Sequence, residues 1–127
     1  VQKINKRHVQ EFDLTILEVV EKVSAEEILN CIQEFYDGSP TSNLIWDVSL
    51  SNLSDLSIED VSAFHKKAYS NSFVRKGGMT VLVSSSATNA LLLKFIKSLS
   101  DTEGDSPVSV ILAASQNEAI NIIKKAS

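Results

Sequence analysis

Residues 43–64 read NLIWDVSLSNLSDLSIEDVSAF, and the fold follows from how this stretch divides. Its first part, Asn43–Val48, is a short apolar run of strand length that closes on Asp47 and Val48. Its last part starts at Ser57 and continues with Ile58, Val61, Phe64 and Ala68, the three- and four-residue steps of an amphipathic helix. Ser49, Ser51, Ser54 and Asp55 lie between them. The stretch is therefore a buried strand, a serine-rich link and a helix start.

The same unit recurs on both sides. Upstream, Ser24 and Glu27 have capping-box spacing ahead of Ile28, Leu29, Ile32, Phe35 and Tyr36, and Gly38 and Pro40 close that helix. Before it, Leu14, Ile16, Val19 and Val20 predict a strand. The polar segment from about Val1 to Gln10 predicts its hairpin partner at a sheet edge, with Phe12 and Asp13 in the turn. Downstream, Gly77 and Gly78 break the chain and Met79–Val83 predicts a strand. Leu91, Leu92, Phe95, Ile96 and Leu99 then mark the core face of a third helix. After the acidic stretch DTEGDSP, Val108–Ala113 predicts a fifth strand, and Ser115 to Glu118 matches a second capping box before the last helix. The order β-β-α-β-α-β-α-β-α implies one α/β domain over residues 1–127. Its five-stranded mixed sheet is parallel wherever a helix intervenes, and its last three strands are expected to be buried on both faces.

Composition narrows the function classes. A chain of 127 residues with 43% hydrophobic and 22% charged residues suits one globular domain. The net charge of −4 has the wrong sign for a polyanion, so no nucleic-acid partner is expected. A single cysteine, Cys31, allows no internal disulfide and fits a reducing cytoplasm. One cysteine with the scattered His8 and His65 gives no metal-ligand spacing, and no cofactor is implied. No apolar run is long enough for a transmembrane segment, and VQKINKRHVQ has no signal-peptide core. Because the first residue is Val1 rather than Met, a trimmed start is expected.

Enzymatic signatures are equally sparse. The sequence holds no G-x-G-x-x-G, P-loop, G-x-S-x-G or H-E-x-x-H pattern. His65, on the flank of the second helix, reads as structural or solvated, and Cys31 and Trp46 read as core. Lys66, Lys67, Arg75 and Lys76 read as a solvated basic face. The remaining candidates sit where strands meet helices. Asp47 ends a parallel strand, and ligands of open α/β sheets gather beyond such ends. Ser49, Ser54, Asp55 and Ser57 share that edge, and Ser84, Ser85 and Ser86 follow the next strand. Three roles are open to these residues: helix capping, contact with an anion or small ligand at a helix N-terminus, and phosphorylation.

In this order, EKVSAEEI, NLIWDVS, LSDLSIEDV, GGMTVLVSSSATNALL and PVSVILAASQNEAINII resemble the SpoIIAA-like proteins, a bacterial group related to STAS domains. The resemblance spans the chain and implies a mixed sheet with helices in a right-handed βα superhelix. It also implies a non-catalytic module that works by binding a protein partner. A homodimer is expected, by way of the polar first strand or a helix face. Members of the anti-sigma-antagonist type are switched at a serine within an Asp-Ser-x-Gly pattern. Here Asp55 fits, but Leu56 stands at the phosphoacceptor position and the glycine is missing, so the switch is expected to be absent. The group's similarity to Sec14 proteins implies an alternative, carriage of a small apolar, lipid-like or anionic ligand. The chain is short for a large lipid cavity.

Overall fold

The structure, a computed structural model, describes residues 3–127; Val1 and Gln2 of the expected first strand lie outside the described residues. The elements are β1 (Ile4–Val9), β2 (Leu14–Val19), α1 (Ala25–Asp37), β3 (Asn43–Asp47), α2 (Ile58–Asn71), β4 (Met79–Val83), α3 (Ala87–Thr102), β5 (Ser109–Ala113) and α4 (Gln116–Ala126). Short 3-10 turns at Gln10–Phe12 and Ser72–Arg75 complete them. The five strands form one sheet in chain order, β1-β2-β3-β4-β5. β1 and β2 are antiparallel and the other pairs are parallel. This is the fold class that the sequence predicts, with strand ends within a residue or two.

The period-2 alternation of each strand sends side chains to two different layers. From β2, β3 and β4, Val19, Val48 and Leu82 join Ile28 and Ile32 of α1, Val61 and Phe64 of α2 and Leu93 of α3 in one core. From the other face, Leu14, Ile16, Ile45, Val81 and Val83 pack on Ala119 and Ile123 of α4. Three helices therefore cover one face and α4 covers the other.

The ends of the sheet depart from expectation in one respect. β1 is the polar edge strand that the sequence predicts. β5 was expected to be buried on both faces. It is the opposite edge, with Ser109 exposed and Val110, Ile111 and Leu112 half-buried, so both of its faces are covered only in part. Val110 and Leu112 pack on the three-helix layer and Ala113 on the α4 layer. Lys97 Nζ donates to the Val110 carbonyl at 3.3 Å, placing a charge at this edge.

A second correction concerns Arg75. The sequence reads it as part of a solvated basic face, yet it is only 3% exposed. Nε donates to Thr41 O (2.9 Å), Nη1 to Tyr36 Oη (3.2 Å), and Nη2 to Ser42 O (3.1 Å) and Met79 O (3.0 Å). Its guanidinium also lies 5.4 Å from the Phe35 ring centroid. These partners come from the end of α1, the link into β3 and the start of β4. The physical reason for burial is this convergence of carbonyls: Ser42 O already accepts from Met79 N–H at 3.1 Å, and a five-donor fork serves it together with Thr41 O and Met79 O. Gly78 sits beside it, where a Cβ would fall 1.9 Å from the Ser42 carbonyl oxygen. On the other flank of Ser42, its backbone N–H donates to Asp13 Oδ2 at 2.9 Å, and that bond holds the Asp13 carboxyl below its ordinary range. Asp13 itself turns the chain in the left-handed region, φ 48°, between β1 and β2.

Lysine cannot reproduce the fork, so Arg75→Lys should strand at least one buried carbonyl and lower stability by about 2–4 kcal/mol. Urea unfolding should show a lower midpoint with an unchanged slope; a midpoint equal to wild type would contradict the role given to the fork.

Candidate functional site

At the carboxyl ends of the parallel strands, each chain exit turns directly into a helix that needs its first N–H groups satisfied. All four helices begin with a serine N-cap. The Ser24, Ser57, Ser86 and Ser115 side chains accept from the N–H groups of Glu27, Asp60, Asn89 and Glu118. Two of these are reciprocal capping boxes. One is Ser24 with Glu27, as the sequence predicts, and the other is Ser57 with Asp60, an Asp standing in for the usual Glu or Gln. At Ser115 only half of the expected box forms, because Glu118 Oε2 accepts from Ala114 N–H at 3.0 Å instead.

The candidate residues thus separate by task. Ser57 and Ser86 are caps. The Ser84 hydroxyl accepts from Ser86 N–H at 3.1 Å, closing a local turn. Ser49 donates its N–H to Asp47 Oδ1 at 3.0 Å. Asp55 pairs with Lys22 across exposed surface, and Ser54 and Ser85 are exposed. Asp47 is buried and directs its second oxygen to the opposite layer, where Gln116 Nε2 donates to Asp47 Oδ2 at 2.9 Å and to Glu18 Oε2 at 3.3 Å. Arg7 Nη2 in turn donates to Gln116 Oε1 at 2.8 Å. Asp47 therefore belongs with α4, whereas Ser57 and Ser86 start helices of the other layer. The two serine links do meet, as expected, and a residue absent from the candidates joins them.

That residue is Asn89, 1% exposed. Its Nδ2 donates to Val48 O (3.0 Å) and Ser51 O (2.8 Å), and its Oδ1 accepts from Leu53 N–H (3.0 Å). One amide in the first turn of α3 thus fixes the whole link between β3 and α2. A signal for it existed: Asn89 stands four residues before Leu93 on the buried face of α3, and a polar residue on a core face calls for dedicated partners.

Val48 and Leu53 of the link are buried and Leu56 is half-buried, but other apolar residues at this end are not. Leu50 in the link, Ile58 at the start of α2 and Leu91 early in α3 are 66%, 61% and 69% exposed. The sequence assigned Ile58 and Leu91 to core faces. Both lie at the helix starts, where the apolar stripe has rotated away from the sheet, and Val61, Phe64 and Leu93 take the buried positions instead. Because α2 packs against α3 and both follow parallel strands, the starts of the two helices lie on one edge. Phe73 and Val74, also exposed, lie on the 3-10 turn at the far end of α2.

Behind this edge, between the sheet and α1, α2 and α3, lies a cavity of about 130 Å³. Ile32, Leu44, Trp46, Leu56, Leu82 and Ile96 are among its walls. Trp46, read as core, is half-buried there, and so is Leu56. His65 also lines it; its buried Nε2 lies 3.5 Å from Glu103 Oε1 without a well-aligned hydrogen bond. Cys31 is half-buried, and burial pushes its thiol up to about 11, a poor setting for a nucleophile. Among the described residues no group of three His, Cys, Asp or Glu side chains could hold a metal ion, and no helix is long and apolar enough to cross a membrane.

The fold matches that of SpoIIAA, of which two solved structures serve for comparison. The anti-sigma factor antagonist SpoIIAA in its unphosphorylated form superposes with a TM-score of 0.54 at 15% identity, covering 95% of this chain and 97% of that one. The Bacillus cell fate determinant SpoIIAA in the phosphorylated form gives 0.53 at 14% identity, covering 94% and 98%. No protein-family model and no curated protein matches the chain. At this identity the likeness establishes the fold.

Asn89→Ala removes three buried hydrogen bonds and leaves the Ser51 carbonyl and the Leu53 N–H without that partner, while Val48 O keeps Ser51 N–H, so it should cost about 2–4 kcal/mol. Hydrogen exchange should speed up at Leu53, whose N–H loses its acceptor. Unchanged protection at Leu53 would contradict the bracing role of Asn89.

Proposed function

We propose that this chain is a non-catalytic, cytoplasmic binding module that docks a regulatory protein partner on the edge formed by the β3–α2 link and the first turns of α2 and α3. The observation that carries this reading is the exposure of Leu50, Ile58 and Leu91 on one braced edge. Exposed apolar residues grouped on a rigid support are what a partner interface needs at its centre. The whole-chain likeness to an anti-sigma factor antagonist adds support by analogy of fold.

The docking is not gated by the phosphoserine switch of that family. Leu56 occupies the corresponding position and turns toward the core, where it packs beside Val61 and Phe64. The neighbouring Ser57 hydroxyl is engaged as a cap 3.0 Å from Asp60 N–H, and Glu59 and Asp60 already supply negative charge to that helix start. Stoichiometric phosphate on Ser54 or Ser57 in native protein, seen by mass spectrometry, would overturn this part.

The test of the docking edge is a pull-down from the source cells with wild type and with Leu50→Asp/Leu91→Asp. Both substitutions are at exposed positions, so the unfolding midpoint should stay within about 0.5 kcal/mol of wild type. A partner retained by wild type and lost by the double variant is the expected result. Equal recovery by both would exclude this edge.

A homodimer is part of the same proposal, and the edge strand β5 favours it. Its half-buried Val110, Ile111 and Leu112 lie on a strand paired on one side only. Light scattering should give twice the chain mass at ~100 μM; a monomer at that concentration removes the dimer.

A further inference from the structure

Protein interiors pack as densely as organic crystals, and voids larger than a water molecule are few. The 130 Å³ space between the sheet and the three helices is therefore a feature to be explained. Its walls are almost wholly apolar. Ile28, Ile32, Val48, Leu82 and Leu93 are buried, and the half-buried Ala68 of α2 and Ile96 of α3 also line it. Water is a poor occupant, since it needs two or more polar partners, whereas an apolar cavity of about 150 Å³ stays dry and admits one benzene-sized molecule. The neighbouring hydrocarbon could have filled the space: alanine stands at position 68 where a leucine would project into it.

We infer that this cavity is a binding site for one small uncharged apolar molecule, of the size of a single aromatic ring or a short alkyl chain. The site is separate from the docking edge proposed above and does not depend on it. Its volume matches a single ring or a short alkyl chain, a smaller ligand than the lipid-like one that the sequence resemblance implies. The basic side chains among its walls are Arg75 and His65, and the Arg75 donors already serve Thr41, Ser42, Met79 and Tyr36. The polar atom left without a hydrogen bond in the wall, His65 Nε2, lies 3.5 Å from the Glu103 carboxylate, whose negative charge disfavours a carboxylate or phosphate ligand there.

The test titrates toluene, and separately dodecanoate, into the full chain with isotope-labelled Ile, Leu and Val methyl groups. Saturable toluene shifts and intermolecular Overhauser contacts should be confined to the methyls of lining residues such as Ile28, Leu82 and Leu93. The unfolding midpoint should rise with toluene and level off. Dodecanoate should give neither effect. Ala68→Leu should reduce toluene affinity at least tenfold. If that variant fails to fold, the wild-type contacts alone decide. The inference is overturned if toluene produces no saturable shift, if its contacts lie on surface methyls such as Leu50 or Leu91, or if dodecanoate contacts the same lining methyls.

Discussion

The buried guanidinium of Arg75 is the constraint on which the arrangement of layers depends. β3 and β4 both begin beneath the end of α1, and their approach points the carbonyls of Thr41, Ser42 and Met79 into a space with little water. Acceptors cannot satisfy one another, and a charged planar fork serves several of them at once. All four hydrogen-bond partners are neutral, so the charge is compensated by dipoles and by the face of Phe35. Gly78 completes the arrangement by leaving room for the Ser42 carbonyl that Arg75 holds. The lower end of the molecule is thus fixed by one side chain, and the upper end is left to carry the variable links.

At that upper end, Asn89 does with an amide what Arg75 does with a guanidinium. It spans from α3 to the ten-residue link, residues 48–57, that follows β3 and braces it at Val48, Ser51 and Leu53. The serines are not equivalent once they are placed. Those at helix starts cap the backbone; within the link Ser54 faces solvent, whereas Ser51 is half-buried and donates its hydroxyl to Glu21 O at 2.9 Å. The edge that results is rigid, mixed in polarity and studded with three exposed aliphatic side chains, while Leu56 faces the opposite way into the cavity wall. Outer edge and inner cavity are therefore two sides of one loop.

Much of this was legible in the sequence because it rests on local rules. Helical and strand periodicities gave the element order, Gly77 and Gly78 marked the break before β4, and Ser24 with Glu27 announced α1. Asn43–Phe64 divided as it reads: strand, link, capped helix. What escaped was long-range. Arg75 looks like any basic residue after a helix until the carbonyls of Ser42 and Met79 are seen to converge on it. Asn89 was passed over because its partners lie 36 to 41 residues away. Ile58 and Leu91 satisfy helical periodicity and still face outward, since periodicity gives a stripe but not where along the helix the sheet ends. Asp47 was correctly singled out as a strand-end carboxylate, but which layer it served required the pairing with Gln116. The cavity had no signature, because apolar composition is the same whether side chains meet or fall short of one another.

The order of strands in the sheet carries a consequence for how the molecule assembles. Every strand lies beside its predecessor and successor in the chain, so each new βα unit finds its partner already adjacent. The loop-closure entropy of each step is that of one short crossover, which is low for a parallel sheet. Growth can proceed stepwise from the β1–β2 hairpin, each added strand creating the template for the next. Only α4 works against this progression, folding back from β5 across β4 and β3 to close the second layer. α4 is thereby the element that turns a growing ribbon into a two-sided body.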